Sequence, residues 1–114
     1  MLKAGAELVI TTAGLSVDPD DVTRKGLLDA GMSEVLFGAP ILPGAMTLLG
    51  RINGAKIIGV PACALFYPTT SFDLLLPWHL AGIAISRSDL ARLAEGGFCL
   101  NCKSCTFPKC PFGK

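Results

Sequence analysis

The 114-residue chain has little charge and almost no histidine. Only 17% of its residues are Asp, Glu, Lys or Arg, and the net charge is +1. That balance excludes the basic footprint that nucleic acid needs. The only basic grouping is Lys103, Lys109 and Lys114, near the end. His79 is the single histidine. It sits beside Trp78 with no matched Ser or Cys motif, which excludes a nucleophilic triad and leaves it a structural reading. No apolar run approaches the roughly 20 residues of a membrane-spanning helix. Ile57–Phe66 is too short, and Pro77, Trp78 and His79 interrupt the later stretch. Met1 leads into Lys3 and Glu7 rather than an apolar leader, so a cytoplasmic protein with neither membrane nor nucleic acid as partner is expected.

Cysteine is scarce in the body and concentrated in the tail. Cys63 stands alone and reads first as a small buried hydrophobe. The other four, Cys99, Cys102, Cys105 and Cys110, follow the pattern C-x2-C-x2-C-x4-C. In a reducing compartment, thiols packed this closely read as metal ligands before disulfides. Four thiolates suit tetrahedral zinc (Zn). The run, with Pro111 after its last cysteine, also comes close to the C-x2-C-x2-C-x3-C-P ligation pattern of a [4Fe–4S] iron–sulfur cluster. The turn Thr106–Lys109 is long enough to fold the fourth thiol back onto the same centre. Both metal readings stay open. The expected organisation is an α/β domain over residues 1–97 and a four-cysteine metal-binding tail over 98–114. The tail has little to bury, so it is expected to lack order without a bound ion.

Half of the chain's residues are hydrophobic (51%), and along the body residues 6–12 read as a buried strand. A small-residue loop, Ala13–Ser16, follows. Asp18 reads as a helix N-cap, with Pro19 at the first helical position and Asp20 and Asp21 in the first turn. Val22, Leu27 and Leu28 would form that helix's apolar face, and Gly31 would stop it. Residues 34–37 read as a strand. Thr47–Ile52 and Ala55–Val60 flank Asn53-Gly54, the strongest short hairpin signal. Ser71–Leu80 reads as a helix despite Pro77. Ser88 is expected to cap a short helix reaching Glu95, before Gly96-Gly97. This order argues for an α/β layer on a mainly parallel sheet. The first strand comes so early, and looks so central, that a longer chain with a preceding βα unit is expected.

Residues 11–23, Thr11-Thr12-Ala13-Gly14-Leu15-Ser16-Val17-Asp18-Pro19-Asp20-Asp21-Val22-Thr23, carry a resemblance. They resemble the Thr-Thr-Gly-Gly-x-Ser/Gly…Asp-Val-Thr signature of the molybdopterin-binding domain, which molybdopterin adenylyltransferases and molybdotransferases share. The resemblance continues through Val35-Leu36-Phe37-Gly38, Ile41-Leu42-Pro43-Gly44, the Asn-Gly hairpin and Ile58-Gly59-Val60-Pro61, covering roughly residues 6 to 82. It implies a three-layer α/β fold and a site for molybdopterin. Thr11, Thr12, Gly14 and Ser16 would hold the pterin phosphate, with Pro61 and Cys63 on the second loop. Asp21 would be the catalytic acid that places a divalent cation such as magnesium (Mg). The chain departs from the pattern at Ala13 for the first glycine, at Ala45-Met46 for Lys-Pro, and at Ala62-Cys63-Ala64 for Gly-Asn-Pro.

Taken together, the expected role is molybdopterin binding in molybdenum cofactor biosynthesis, delivery or sensing, with a four-cysteine metal or Fe–S site. If the protein is catalytic, the class would be a transferase acting on molybdopterin. The alternative is a non-enzymatic redox or docking module on an altered scaffold. The high apolar content points to a homo-oligomer, or to the remainder of a longer chain, as the partner that covers the sheet edge.

Overall fold

A computed structural model describes residues 1–114. The chain divides into two compact units, Met1–Gly38 with Met46–Ala62, and Ala39–Ala45 with Cys63–Lys114. Residues 98–114 therefore belong to a larger unit that begins at Cys63 and includes the segment Ala39–Ala45.

The first unit is built on four strands: β1 (Leu8–Thr12), β2 (Ser33–Phe37), β3 (Leu48–Ile52) and β4 (Ala55–Val60). Their order is β1-β4-β3-β2. Asn53 (φ 49) and Gly54 (φ 84) adopt the left-handed conformations of a two-residue hairpin turn, and Ile52 faces Ala55 across it. Such a turn can only join antiparallel strands. β2 also pairs antiparallel with β3, and only β1 and β4 run parallel. The sheet is thus mixed, not mainly parallel as expected. β1 lies at an edge, hydrogen-bonded on one side to β4, rather than in the centre. Strand alternation puts Val9 in the core and Ile10 out of it, 44% exposed. Val9, Leu15, Met32, Leu48, Ile52 and Ile57 form the core cluster, with Leu27, Val35 and Phe37 packed against it.

Helix α1 spans Thr23–Asp29, not residues from Pro19 onward. The acids precede it, in a turn closed by backbone bonds from Asp21 N–H to the Asp18 carbonyl (2.9 Å) and from Val22 N–H to the Asp20 carbonyl (3.0 Å). Asp18 is therefore no cap, and α1 has neither a side-chain cap nor an acid in its first turn. Of its expected apolar face only Leu27 packs on the core, because Val22 (63%) and Leu28 (42%) are exposed.

The second unit carries α2 (Ser71–Leu80) and α3 (Arg87–Arg92). The helix at Ser71–Leu80 falls where expected and contains Pro77. Its start is defined by a capping box: Thr70 Oγ1 accepts from Phe72 N–H (3.2 Å), and Asp73 accepts from Thr70 N–H (2.7 Å). α3 is capped by Ser86, not Ser88, and ends at Arg92, not Glu95. Ser86 Oγ accepts from Asp89 N–H (3.2 Å), and the Asp89 carboxylate accepts from Ser86 N–H (2.8 Å). Two residues later in the chain, Ser88 has no such acid three positions on.

The tail has no helix or strand, yet it is held. Leu42 N–H donates to the Gly97 carbonyl (2.6 Å), Cys99 N–H to the Leu42 carbonyl (2.8 Å), and Gly113 N–H to the Gly96 carbonyl (2.6 Å). Phe112 is buried, only 3% exposed. As expected, the tail buries little, but one aromatic side chain and these backbone bonds hold it in place. No helix is long and apolar enough to cross a membrane.

Candidate functional site

Two places bring candidate residues together, and each is assembled inside one unit. The first is at the carboxyl ends of β1 and β4. Their parallel pairing places Thr11 opposite Gly59 and Thr12 opposite Val60. The chain leaves both strands at the same end of the sheet, where Ala13 N–H still donates to the Val60 carbonyl (3.1 Å). Thr11, Thr12, Gly14, Ser16 and Pro61 therefore share one end of the sheet, the position where ligands bind in open α/β folds. Thr12 and Ser16 are exposed, and Pro61 is buried.

Within this group, Thr11 Oγ1 is a buried hydroxyl with no hydrogen-bond partner. Buried polar groups almost always have one, so an orphan calls for an explanation. Ala13 and Gly14 follow with φ 61 and φ 67, two successive left-handed residues. Ala13 thus keeps a glycine-type backbone although it carries a Cβ. Asp21 lies at the far end of the same loop, partly buried in its own turn. Cys63 is not in this unit; it occupies the 3-10 turn Ala62–Leu65 and is partly buried.

The second place is a cavity of about 40 Å³ in the other unit. All four tail cysteines line it, together with Thr69 and an apolar wall that includes Phe98, Leu100, Phe107 and Phe112. Each cysteine arrives by a local device. Cys99 is fixed through its backbone bond to Leu42. Cys110 returns through the expected turn, in which Lys109 N–H donates to the Thr106 carbonyl (2.8 Å). Cys105 Sγ lies 3.3 Å from Thr69 Oγ1. The Thr69 hydroxyl first, and the Phe107 backbone second, hold the Cys105 thiol below its ordinary pKa, against the opposing effects of desolvation and the Asp73 charge. All five cysteines are free thiols. The four line one space, but no three His, Cys, Asp or Glu side chains converge closely enough to hold a single ion.

Thr69 carries no signal in the sequence, since it contacts a residue 36 positions away. The capping box of α2 did have one: Thr70-x-x-Asp73 ahead of an apolar run is a recognisable helix start.

A family model described as a probable molybdopterin binding domain matches residues 1–80. No curated protein matches the chain. The matched segment includes the whole sheet and the β1–α1 loop, and stops short of the four tail cysteines.

Proposed function

The chain belongs to the molybdopterin-binding domain family, and from that footing we propose that it binds molybdopterin and acts in the biosynthesis, delivery or sensing of the molybdenum cofactor. Thr11, Thr12, Gly14 and Ser16 receive the terminal phosphate, and Pro61 bounds the same end of the sheet. The observation that carries this reading is the buried Thr11 hydroxyl without a partner. A phosphate oxygen is the acceptor that such a donor lacks, and hydrogen bonds to charged groups contribute about 1.5–3 kcal/mol. Bound molybdopterin supplies a phosphate and a metal-binding dithiolene. If the site is catalytic, the reaction would be a nucleotidyl or metal transfer on those groups, and Asp21 would help to place a magnesium ion there. The tail cysteines form a second centre, for a metal ion or an iron–sulfur cluster.

A titration of the full chain with molybdopterin, followed by calorimetry, tests the phosphate site. Binding is expected, and Thr11→Val is expected to weaken it about tenfold or more, as loss of a charged hydrogen bond requires. The same variant should not lower the stability of the free protein, because the hydroxyl it removes is unpaired. Absence of binding by the native chain overturns the reading. It would favour the second one, a non-enzymatic redox or docking module, which draws support from the cavity lined by four cysteines.

A further inference from the structure

Spacing alone leaves the tail open to zinc or to an iron–sulfur cluster, but the arrangement of its thiols does not treat the two equally. A structural zinc site draws four sulfurs to about 2.3 Å from one point. Here no three ligand-type side chains converge on one ion. Yet Cys99, Cys102, Cys105 and Cys110 all border one cavity. Four cysteines bordering one cavity suit a cluster, since its own iron and sulfide would fill the space between the four thiolates. The walls agree: aromatic and aliphatic side chains dominate them, and Phe112 is buried. Phe98 and Leu100 are 67% and 70% exposed, and Cys102 and Cys105 are exposed, so the site is partly open to water, and solvent exposure is one of the controls on a cluster's potential.

Thr69 supplies the polar element. It is 3% exposed and immediately precedes the N-cap of α2, so its backbone is held. Its Oγ1 lies 3.3 Å from Cys105 Sγ, and either atom could donate in the free protein. Once Cys105 is a coordinating thiolate it has no proton, and Thr69 must be the donor. A hydrogen bond to a ligating sulfur stabilises the reduced, more negative cluster and raises its reduction potential.

We infer that the tail cavity seats one four-iron cluster on Cys99, Cys102, Cys105 and Cys110, and that Thr69 is the positioning residue whose hydroxyl, on Cys105 Sγ, raises its potential. This rests on the reading of the tail as a metal centre and is independent of pterin binding.

The test uses the full chain, purified anaerobically and supplied either with sulfide and equal parts ferrous and ferric iron, which is the oxidation level of the cluster, or with zinc alone. Expected are about four iron and about four sulfide per chain, with the broad visible absorption of a cluster that bleaches on reduction by dithionite. Cys102→Ala together with Cys105→Ala should abolish assembly. Assembly undiminished in that variant would overturn the site. One zinc per chain with no cluster formed would overturn the cluster while leaving a metal centre. Uptake of neither would overturn both. Thr69→Val should assemble the cluster at a lower reduction potential, and Thr69→Ser should restore the native value. Thr69→Ala serves, with the same expected direction, if the valine variant does not fold. An unchanged potential in the variant lacking the hydroxyl would overturn the role of Thr69.

Discussion

Gly14 and Thr23 close the β1–α1 loop on each other. Thr23 N–H donates to the Gly14 carbonyl (3.1 Å), and the Thr23 side chain fills the space that a Cβ on Gly14 would need, with its own Cβ 3.0 Å from that point. Gly14 is therefore in direct contact with Thr23, the last residue of the Thr-Thr…Asp-Val-Thr stretch. The loop between them is shaped by that closure rather than by a helix cap, because α1 has none.

Replacing Gly14 with alanine should cost about 1–3 kcal/mol in a urea titration, combining a left-handed backbone with a collision against Thr23. Gly26 is the internal control. It lies in α1 with open space around its Cβ direction, so Gly26→Ala should stabilise by about 0.5–1 kcal/mol. Equal effects at both positions would contradict the closure described.

Ala13→Gly is expected to stabilise the protein by about 0.5–1 kcal/mol, since Ala13 holds φ 61 at a conformational cost that glycine does not bear. Thermal or urea unfolding would read the gain. If the site is only weakened by this residue, molybdopterin affinity should rise with it.

In the second unit Gly44, at φ 114, faces Ser71 at the start of α2. Ser71 Oγ donates to the Gly44 carbonyl (2.8 Å), and Ser71 N–H donates to the Pro43 carbonyl (3.0 Å). Ser71→Ala should cost about 1–3 kcal/mol by leaving a buried carbonyl short of a donor. Gly44→Ala should cost at least as much, because an added Cβ would meet Ser71 N at 2.7 Å. Chemical denaturation of the two variants checks both values.

The Asp89 carboxyl titrates below the usual carboxylate range, chiefly because the Ser86 hydroxyl donates to it, with help from the Ser86 backbone N–H and the Arg92 charge. A depressed acid stabilises the folded state fully above its unfolded pKa. That contribution is lost as pH falls through the lower, folded value. The α3 cap should thus persist at mildly acidic pH and fail only below the ordinary carboxylate range. NMR titration of the Asp89 carboxyl would show this, and Ser86→Ala should move its midpoint upward.

Much of this molecule could be read from short windows. Asn53-Gly54 between apolar runs defined the β3–β4 hairpin, and the apolar stretch at Ser71–Leu80 defined α2. The four clustered cysteines marked the residues that line one cavity. These are local effects: a two-residue turn, a capping residue and a ligand spacing act within a few residues of chain. Misreadings arose where a local rule had a tertiary competitor. Asp18-Pro19-Asp20-Asp21 satisfies every rule for a helix start, yet it closes into a turn because Thr23 N–H is taken by the Gly14 carbonyl. Strand direction was misjudged because alternating strands and helices fit a parallel sheet, whereas the Asn53-Gly54 turn sets β3 antiparallel to β4 and β2 pairs antiparallel with β3 across the 38–47 connection.

By itself, the sequence determined the family, the hairpin, α2 and the clustering of the four tail cysteines. Only the tertiary structure decided that Thr11 Oγ1 is buried without a partner, that the four tail cysteines line one cavity, and that Thr69 lies against Cys105. Each of these depends on which distant segments pack together. A contact across 36 residues leaves no periodicity and no spacing in the chain that carries it.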